Sequence, residues 1–255
     1  MTLKELNENP LILDLLNRIT PIINKYKFEI EKDSKRTIFN NPVLSSDEKY
    51  IVKFFDLNNN LLTSCAHLDN IKIFLRRFPN RKFYSSNSIL EADYIQYHLE
   101  MFEHKMFTIF ELLILITNHV YQLKLPTRSC NLKNLLKLLG SQNVTIIILS
   151  EFDNQIQYWR KHRNFFVHQG EFIKGPKFDL LKAAEYYSFM ADKYNIEYDI
   201  NLIPKVVIKF SLKEFKKQKI KECDDNCAGI FQFIETFYFS IAKDLHENRI
   251  KLSYT

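Results

Sequence analysis

The chain has 255 residues, of which 46% are hydrophobic and 26% charged, and this balance is that of a globular domain rather than a disordered segment. It contains 22 Phe and 13 Tyr but 4 Gly, which disfavours glycine-rich phosphate loops and many-turned β-sandwiches and favours helices. The net charge of +6 is compatible with a polyanionic partner without requiring one.

Localisation is predicted from the apolar runs and the cysteines. No signal peptide is expected, because charged residues precede the first apolar run. The longest apolar runs, 112–116 and 146–149, are too short to span a bilayer. The four cysteines are scattered along the chain, as in a reducing compartment. We therefore expect a cytoplasmic protein without membrane association.

Residues 1–84 are predicted to form a small N-terminal α+β extension whose role the sequence does not reveal. An amphipathic helix is expected to end near Pro21. Residues 49–56 and 61–64 flank the turn-like stretch Asn58–Asn60 and predict a short hairpin.

Residues 85–123 give the clearest helical pattern. Ser88 and Glu91 have the spacing of a capping box at its start. Apolar residues then recur at alternating steps of four and three: Ile95, Leu99, Phe102, Met106, Ile109, Leu113, Ile116, Val120 and Leu123. Glu100 and His104 belong to a polar stripe with the same spacing, which either supports a site or forms a solvated or internally paired face.

Another long helix is predicted from Ser141 to His168, after a short one capped by Asn131 and stopped by Gly140. Its apolar seam runs through Leu149, Phe152, Ile156, Trp159, Arg163 and Phe166. Arg163 thus replaces an apolar residue on the packing line, and we expect its charge to face a neighbour. Asn164 and His168 are four residues apart and share one face.

The remaining chain predicts a loop-rich insertion at about 171–212 and a closing helix from Ala228. The insertion contains a helix at 178–194 and a strand or extended piece at 205–210. Residues 85–255 are accordingly predicted to form one mainly α, up-and-down helical bundle domain.

The order of helices and two motifs resemble the HEPN superfamily (higher eukaryotes and prokaryotes nucleotide-binding). The third helix ends in R-N-x-x-x-H, at Arg163, Asn164 and His168. The segment 93–102 is similar to the Tyr-x-x-(Phe/Tyr)-His-x-Glu-x-(Phe/Tyr) opening of bacterial HEPN-like proteins, although Lys105 stands where they often carry arginine. The resemblance covers about residues 85–170 well.

This resemblance implies a metal-independent endoribonuclease without a cofactor, of the kind found among toxins and antiviral effectors. In the family, the Arg and His of the motif are catalytic and two copies of the helix meet across a homodimer. The expected partners are RNA, a second copy of the chain and an antitoxin or regulatory protein. A non-catalytic HEPN module that binds RNA, a nucleotide or a protein is the alternative, and a purely structural helical dimer is another.

The chemistry of the residues fits RNA cleavage by its own 2′-hydroxyl. Arg163 has the planar fork that suits phosphate oxygens, and His168 can transfer protons near neutral pH. Asn164 would orient the imidazole or the phosphate. Arg160 and Lys161 would add positive charge for binding the substrate.

Two other patterns are weaker. Cys223 and Cys227 are one helical turn apart, but no further ligand pair accompanies them, so ordinary cysteines are favoured over a zinc site. The lysine run at 213–221 is read as a solvated charged face in preference to an RNA contact.

Overall fold

A computed structural model describes the backbone of residues 1–32, 37–169, 176–197 and 203–253. Within these ranges, the side chains of residues 28–32, 40, 158–169, 176, 251 and 253 are excluded from the description. The described residues form α-helices and two short 3₁₀ turns, with no strand among them.

Nine α-helices make up the described fold. They are α1 (Leu3–Asn7), α2 (Pro10–Lys32), α3 (Ser46–Arg76), α4 (Arg81–Ser86), α5 (Glu91–Val120), α6 (Leu132–Leu139), α7 (Val144–Gln169), α8 (Pro176–Tyr194) and α9 (Lys205–Ser253). None of the helices in the described residues is both long and apolar enough to cross a membrane.

The chain divides into two compact units. Unit 1 contains residues 1–66, 107–156 and 228–255, and unit 2 contains residues 67–106 and 157–227. Helices α3, α5, α7 and α9 contribute residues to both units. These units are defined by contacts within the fold, whereas the domains predicted at 1–84 and 85–255 are parts expected to fold independently. The predicted division into domains stays a prediction.

Unit 1 has an apolar core crossed by specific polar contacts. Phe152 is 2% exposed, and its ring centroid lies 5.8 Å from that of Phe110 and 4.7 Å from that of Phe233. The buried Tyr238 hydroxyl donates to Asn58 Oδ1 at 2.6 Å. Tyr121 donates to Asp244 Oδ2 at 2.8 Å. These bonds provide partners for polar groups that burial removes from water.

Unit 2 is packed around the first half of α5. Ile95, Leu99 and Phe102 are buried there, as the predicted seam requires. Phe178 of α8 is also buried, with its ring centroid 4.4 Å from that of Phe215 of α9. In unit 1 the seam continues through further buried residues, namely Ile109, Leu113, Ile116 and Val120.

The predicted α+β character of residues 1–84 is wrong, because the proposed hairpin lies inside the continuous helix α3. Three successive asparagines suggested a turn, yet Asn58 is 3% exposed and accepts the Tyr238 hydrogen bond. A long-range partner therefore outweighs the local preference of asparagine for turns.

Two local predictions are also wrong. Helix α2 continues past Pro21, and burial of Ile12, Ile19 and Tyr26 offsets the backbone hydrogen bond that proline cannot make. The segment 205–210 is the first part of α9, so the predicted loop-rich insertion contains less loop than expected. The helices predicted at 141–168 and 178–194 are confirmed as α7 and α8.

The capping of α5 differs from the predicted box. Ser88 has a positive φ of 60° and does not cap the helix. The Leu90 N–H donates to Asp93 Oδ2 at 3.2 Å. Glu185 of α8 accepts from the N–H groups of Glu91 and Ala92 at 3.3 and 2.9 Å. A carboxylate from another helix thus satisfies donors that the sequence pattern assigned to a local serine.

Candidate functional site

The predicted catalytic motif lies in the second half of α7. This helix continues without interruption from Val144 to Gln169, so its backbone carries Arg163, Asn164 and His168 in the predicted helical register. The first half is anchored in unit 1 by buried residues that include Leu149 and Phe152.

The side chains of all the predicted site residues lie outside the described residues. This applies to the catalytic trio and to the predicted substrate-binding residues Arg160 and Lys161. Their assignment to a site stays a prediction.

A polar network in unit 2 lies along the first turns of α5 and ends at Glu100, the first residue of the predicted polar stripe. Lys182 of α8 contacts Asp93 Oδ1 at 2.8 Å and Gln96 Oε1 at 2.9 Å. Gln96 in turn donates to Glu100 Oε1 at 2.6 Å. Glu100 therefore has a fixed partner on its own helix, as the solvated or internally paired reading of the stripe expected.

The comparison with known families decides the superfamily. A model of the HEPN_Cthe2314-like HEPN family matches residues 50–242, which is most of the chain. The chain belongs to the HEPN superfamily. No curated protein and no solved structure shows significant similarity to it. The match includes α5 and α7 completely, and it includes the R-N-x-x-x-H motif.

The HEPN match also extends beyond the segment on which the resemblance rested. It begins at Tyr50, within α3, and ends in α9. The part of α3 that was predicted as a separate α+β extension thus belongs to the matched region. Membership supports a function connected with nucleotides or RNA, as in the family's name, without specifying a reaction.

Glu103 is a titratable residue of this HEPN domain that the sequence reasoning missed. It lies on α5 in unit 2 and is 5% exposed. Burial raises the pKa of its carboxyl to about 8, the neighbouring Glu100 carboxylate acts in the same direction, and Lys219 opposes them. Glu103 is therefore mainly protonated at neutral pH. Its position next to the seam residues Leu99 and Phe102 could have indicated burial.

A second acidic group in unit 2 is tied to the start of α5. Burial raises the pKa of Glu185, although its hydrogen bonds from Ala92 and Glu91 lower it. Glu91 itself pairs with Lys216 of α9 at 2.6 Å and with Arg81 at 2.8 Å. Lys216 of the basic run thus has a structural partner, which agrees with reading that run as something other than an RNA contact.

Cys223 and Cys227 form a buried pair on α9 in unit 2. Cys223 and Cys227 are both buried, and burial raises the pKa of each thiol to about 12. Both thiols are therefore protonated at neutral pH. Among the described residues, no group of three His, Cys, Asp or Glu side chains has the arrangement of a metal site.

Proposed function

We propose that this HEPN protein is an endoribonuclease that cleaves RNA without a metal ion. The observation that carries the proposal is the R-N-x-x-x-H motif on an uninterrupted helix within the matched region. The family match supports a nucleotide- or RNA-related function, and the residue types in the motif favour phosphodiester cleavage over binding alone.

The proposed reaction is attack of the ribose 2′-oxygen on the adjacent phosphorus. The P–O bond to the 5′-oxygen breaks, and the products are a 2′,3′-cyclic phosphate and a 5′-hydroxyl. Arg163 would bind the phosphate oxygens and stabilise the charge of the phosphorane. His168 would transfer a proton, and Asn164, one turn earlier on α7, would orient it or the phosphate.

Position in α7 favours an acid role for His168. The last turn of a helix carries partial negative charge, which stabilises a cationic imidazole. A protonated His168 would deliver its proton to the leaving 5′-oxygen, while the attacking 2′-hydroxyl would lose its proton to solvent water. Arg160 and Lys161, about two turns before His168, would contact the RNA backbone and hold the strand.

The site is proposed to be shared between two copies of the chain. Arg163 occupies an apolar position of the α7 seam, and a cation at such a position is best explained by a second α7 and a bound phosphate facing it. We propose that the protein acts in the cytoplasm as a toxin or phage-defence effector. An antitoxin or regulatory protein would control this activity.

The test is a gel assay of RNA cleavage with and without EDTA, using wild type, Arg163→Ala and His168→Ala. Each substitution is expected to reduce the cleavage rate by about 10²–10⁴-fold, since each removes a group that acts in the transition state. EDTA should have no effect. Matched control variants are Arg128→Ala and His246→Ala, which remove exposed residues of the same types outside α7.

Three results would contradict the proposal. Cleavage that survives both motif substitutions would place the chemistry elsewhere, and cleavage that EDTA abolishes would require a metal. RNA binding without any cleavage would favour the non-catalytic HEPN module. A rate per chain that stays constant as the protein is diluted below its dimer dissociation constant would remove the shared site alone.

A further inference from the structure

Unit 2 contains an aromatic pocket that the proposed reaction does not use. Its volume is about 590 Å³, which is within the usual range for small-molecule sites of about 300–1,000 Å³. The rings that line it are Phe74, Tyr84, Tyr94, Tyr97 and His98. All of these residues belong to α3, α4 and α5, and none is part of the R-N-x-x-x-H motif.

The rings of the pocket are held in place by one another. The His98 ring centroid lies 4.4 Å from that of Tyr94, 5.3 Å from that of Phe74 and 5.5 Å from that of Tyr97. The Tyr94 hydroxyl also donates to the Phe74 carbonyl at 3.3 Å. The pocket is therefore preorganised, which reduces the cost of ordering side chains when a ligand binds.

Two of the rings are nonetheless open to solvent. Tyr97 is 59% exposed and Phe74 is 48% exposed. Burial lowers the pKa of His98, which favours the uncharged form of its ring. Large apolar rings on a surface are characteristic of a binding site, and several rings around one cavity suit a planar aromatic ligand.

The charge around the pocket indicates what kind of aromatic ligand it suits. The segment 76–84 contains Arg76, Arg77, Arg81 and Lys82 and no acidic residue. Of these, Arg76, Arg77 and Lys82 are exposed and form no ion pair with another described residue. Arg81 pairs with Glu91 and lies 5.8 Å from the centroid of the Phe78 ring. Exposed cations that are close in sequence to the pocket residues Phe74 and Tyr84 fit a ligand that carries both bases and phosphates.

A cationic ligand in an aromatic cage is disfavoured by the same contacts. The acidic residue of the pocket wall, Asp93, is already paired with Lys182 at 2.8 Å and accepts the Leu90 N–H at 3.2 Å. Its charge is therefore largely compensated. The basic segment 76–84 would repel a quaternary ammonium group.

We propose that the pocket formed by Phe74, Tyr84, Tyr94, Tyr97 and His98 stacks an unpaired base of single-stranded RNA, while Arg76, Arg77 and Lys82 contact the adjoining phosphates. The inference rests on the proposed function in taking RNA as the ligand. It assigns a binding role to unit 2 residues outside α7 and predicts a preference for single strands, because a base inside a duplex has no free face for stacking.

The experiment measures binding without cleavage. Fluorescence anisotropy is recorded with a labelled 2′-O-methyl RNA oligonucleotide. The methyl group blocks the proposed 2′-hydroxyl attack, so the wild-type chain can be used. Tyr97→Ala is expected to weaken single-strand binding by about 5- to 100-fold, the effect of removing one stacking ring. Tyr97→Phe keeps the ring and should bind within about twofold of wild type.

Two controls make the result specific. Tyr194→Ala removes a tyrosine of matched exposure, 57% against 59%, which does not line the pocket, and it should bind as wild type does. Lys82→Ala should weaken binding to all sequences and lower the slope of log K against log salt by about 0.7, the value for one phosphate contact on a single strand. Circular dichroism checks that each variant is folded.

The outcomes separate this inference from the nuclease proposal. Equal affinity of Tyr97→Ala and wild type, or equal binding of duplex and single strand, overturns the pocket even if cleavage depends on Arg163 and His168. Binding of a trimethyl-lysine peptide without RNA binding also overturns it. If the wild-type chain cleaves no RNA but Tyr97→Ala still binds RNA more weakly than wild type, the pocket is supported and the nuclease proposal is removed.

Discussion

Tyr238 in unit 1 and Glu103 in unit 2 are both buried polar residues, but they are treated differently by their surroundings. Tyr238 donates a hydrogen bond of 2.6 Å to Asn58. Glu103 lies near another carboxylate, and its pKa is raised to about 8. The first arrangement stabilises a fold, whereas the second maintains a protonated acid at a cost in stability.

The two units also differ in the other groups that they contain. Unit 2 contains the basic segment 76–84, the aromatic pocket and the α7 positions of the R-N-x-x-x-H motif. Unit 1 contains the stacked core around Phe152 and a set of paired tyrosine hydroxyls. The polar groups of unit 1 named here are paired within its core, whereas unit 2 contains the residues on which both proposals rest.

The largest expected effect comes from opening the core of unit 1. Phe152→Ala removes a ring that packs between Phe110 and Phe233, and it should lower the free energy of unfolding by about 3–5 kcal/mol. Urea unfolding followed by circular dichroism measures the change. Phe239→Ala is the matched control, because that ring is 66% exposed in the same unit.

This prediction also separates scaffold from binding surface. Well below its melting temperature, Phe152→Ala should bind 2′-O-methyl RNA as tightly as wild type does. A loss of less than about 1 kcal/mol, or one equal to that of Phe239→Ala, would show that unit 1 is not held by this stack.

A smaller effect of the opposite sign is expected for Glu103→Gln in unit 2. The pKa of Glu103 in the folded protein, about 8, is above its ordinary value of 4.5. The contribution of Glu103 to the free energy of unfolding is therefore fully present below pH 4.5. It is lost progressively as the pH rises through about 8. The amide has no proton to lose, so at pH 9 Glu103→Gln should be more stable than wild type by about 2–4 kcal/mol.

The measurement is the difference in unfolding free energy between the two proteins from pH 4.5 to 9. The difference should grow with pH and level off above about 8. Glu111→Gln is the control on the same helix, because that side chain is exposed and loses little solvent on folding. A pH-independent difference would contradict the buried, protonated state of Glu103.

The helices of this HEPN domain were predictable where their patterns are local and periodic. The α5 seam from Ile95 to Val120 is buried as its spacing required, and Asn131 caps α6 through a bond to the Asn134 N–H at 3.0 Å. Both features depend on residues within a few turns of one another. The R-N-x-x-x-H motif at Arg163, Asn164 and His168 could be recognised for the same reason, because its spacing is local. The role of the motif stays a prediction.

The failures involve partners that are distant in sequence. Asn58 belongs to an apparent turn, yet it is paired with Tyr238, 180 residues later. The start of α5 is capped by Glu185, 93 residues after Ala92. The raised pKa of Glu103 likewise reflects burial produced by the whole of unit 2. No local pattern contains this information, because the deciding contacts exist only after the helices have packed.

The smallest of the expected effects tests the paired side of the comparison. Tyr238→Phe keeps the ring but removes the hydroxyl, which leaves the buried Asn58 carbonyl without this donor. The free energy of unfolding should fall by about 1–2 kcal/mol at every pH from 5 to 9, since the lost bond involves no titration in this range. In a Tyr238→Phe, Asn58→Leu double variant, part of this loss should be recovered, because no unpaired acceptor remains. A loss that varied with pH, as is expected for Glu103, would mean that the two buried groups are not distinct in kind. Opposite signs for Tyr238→Phe and Glu103→Gln at pH 9 would instead establish that one unit gains stability from its buried polar group while the other gives it up.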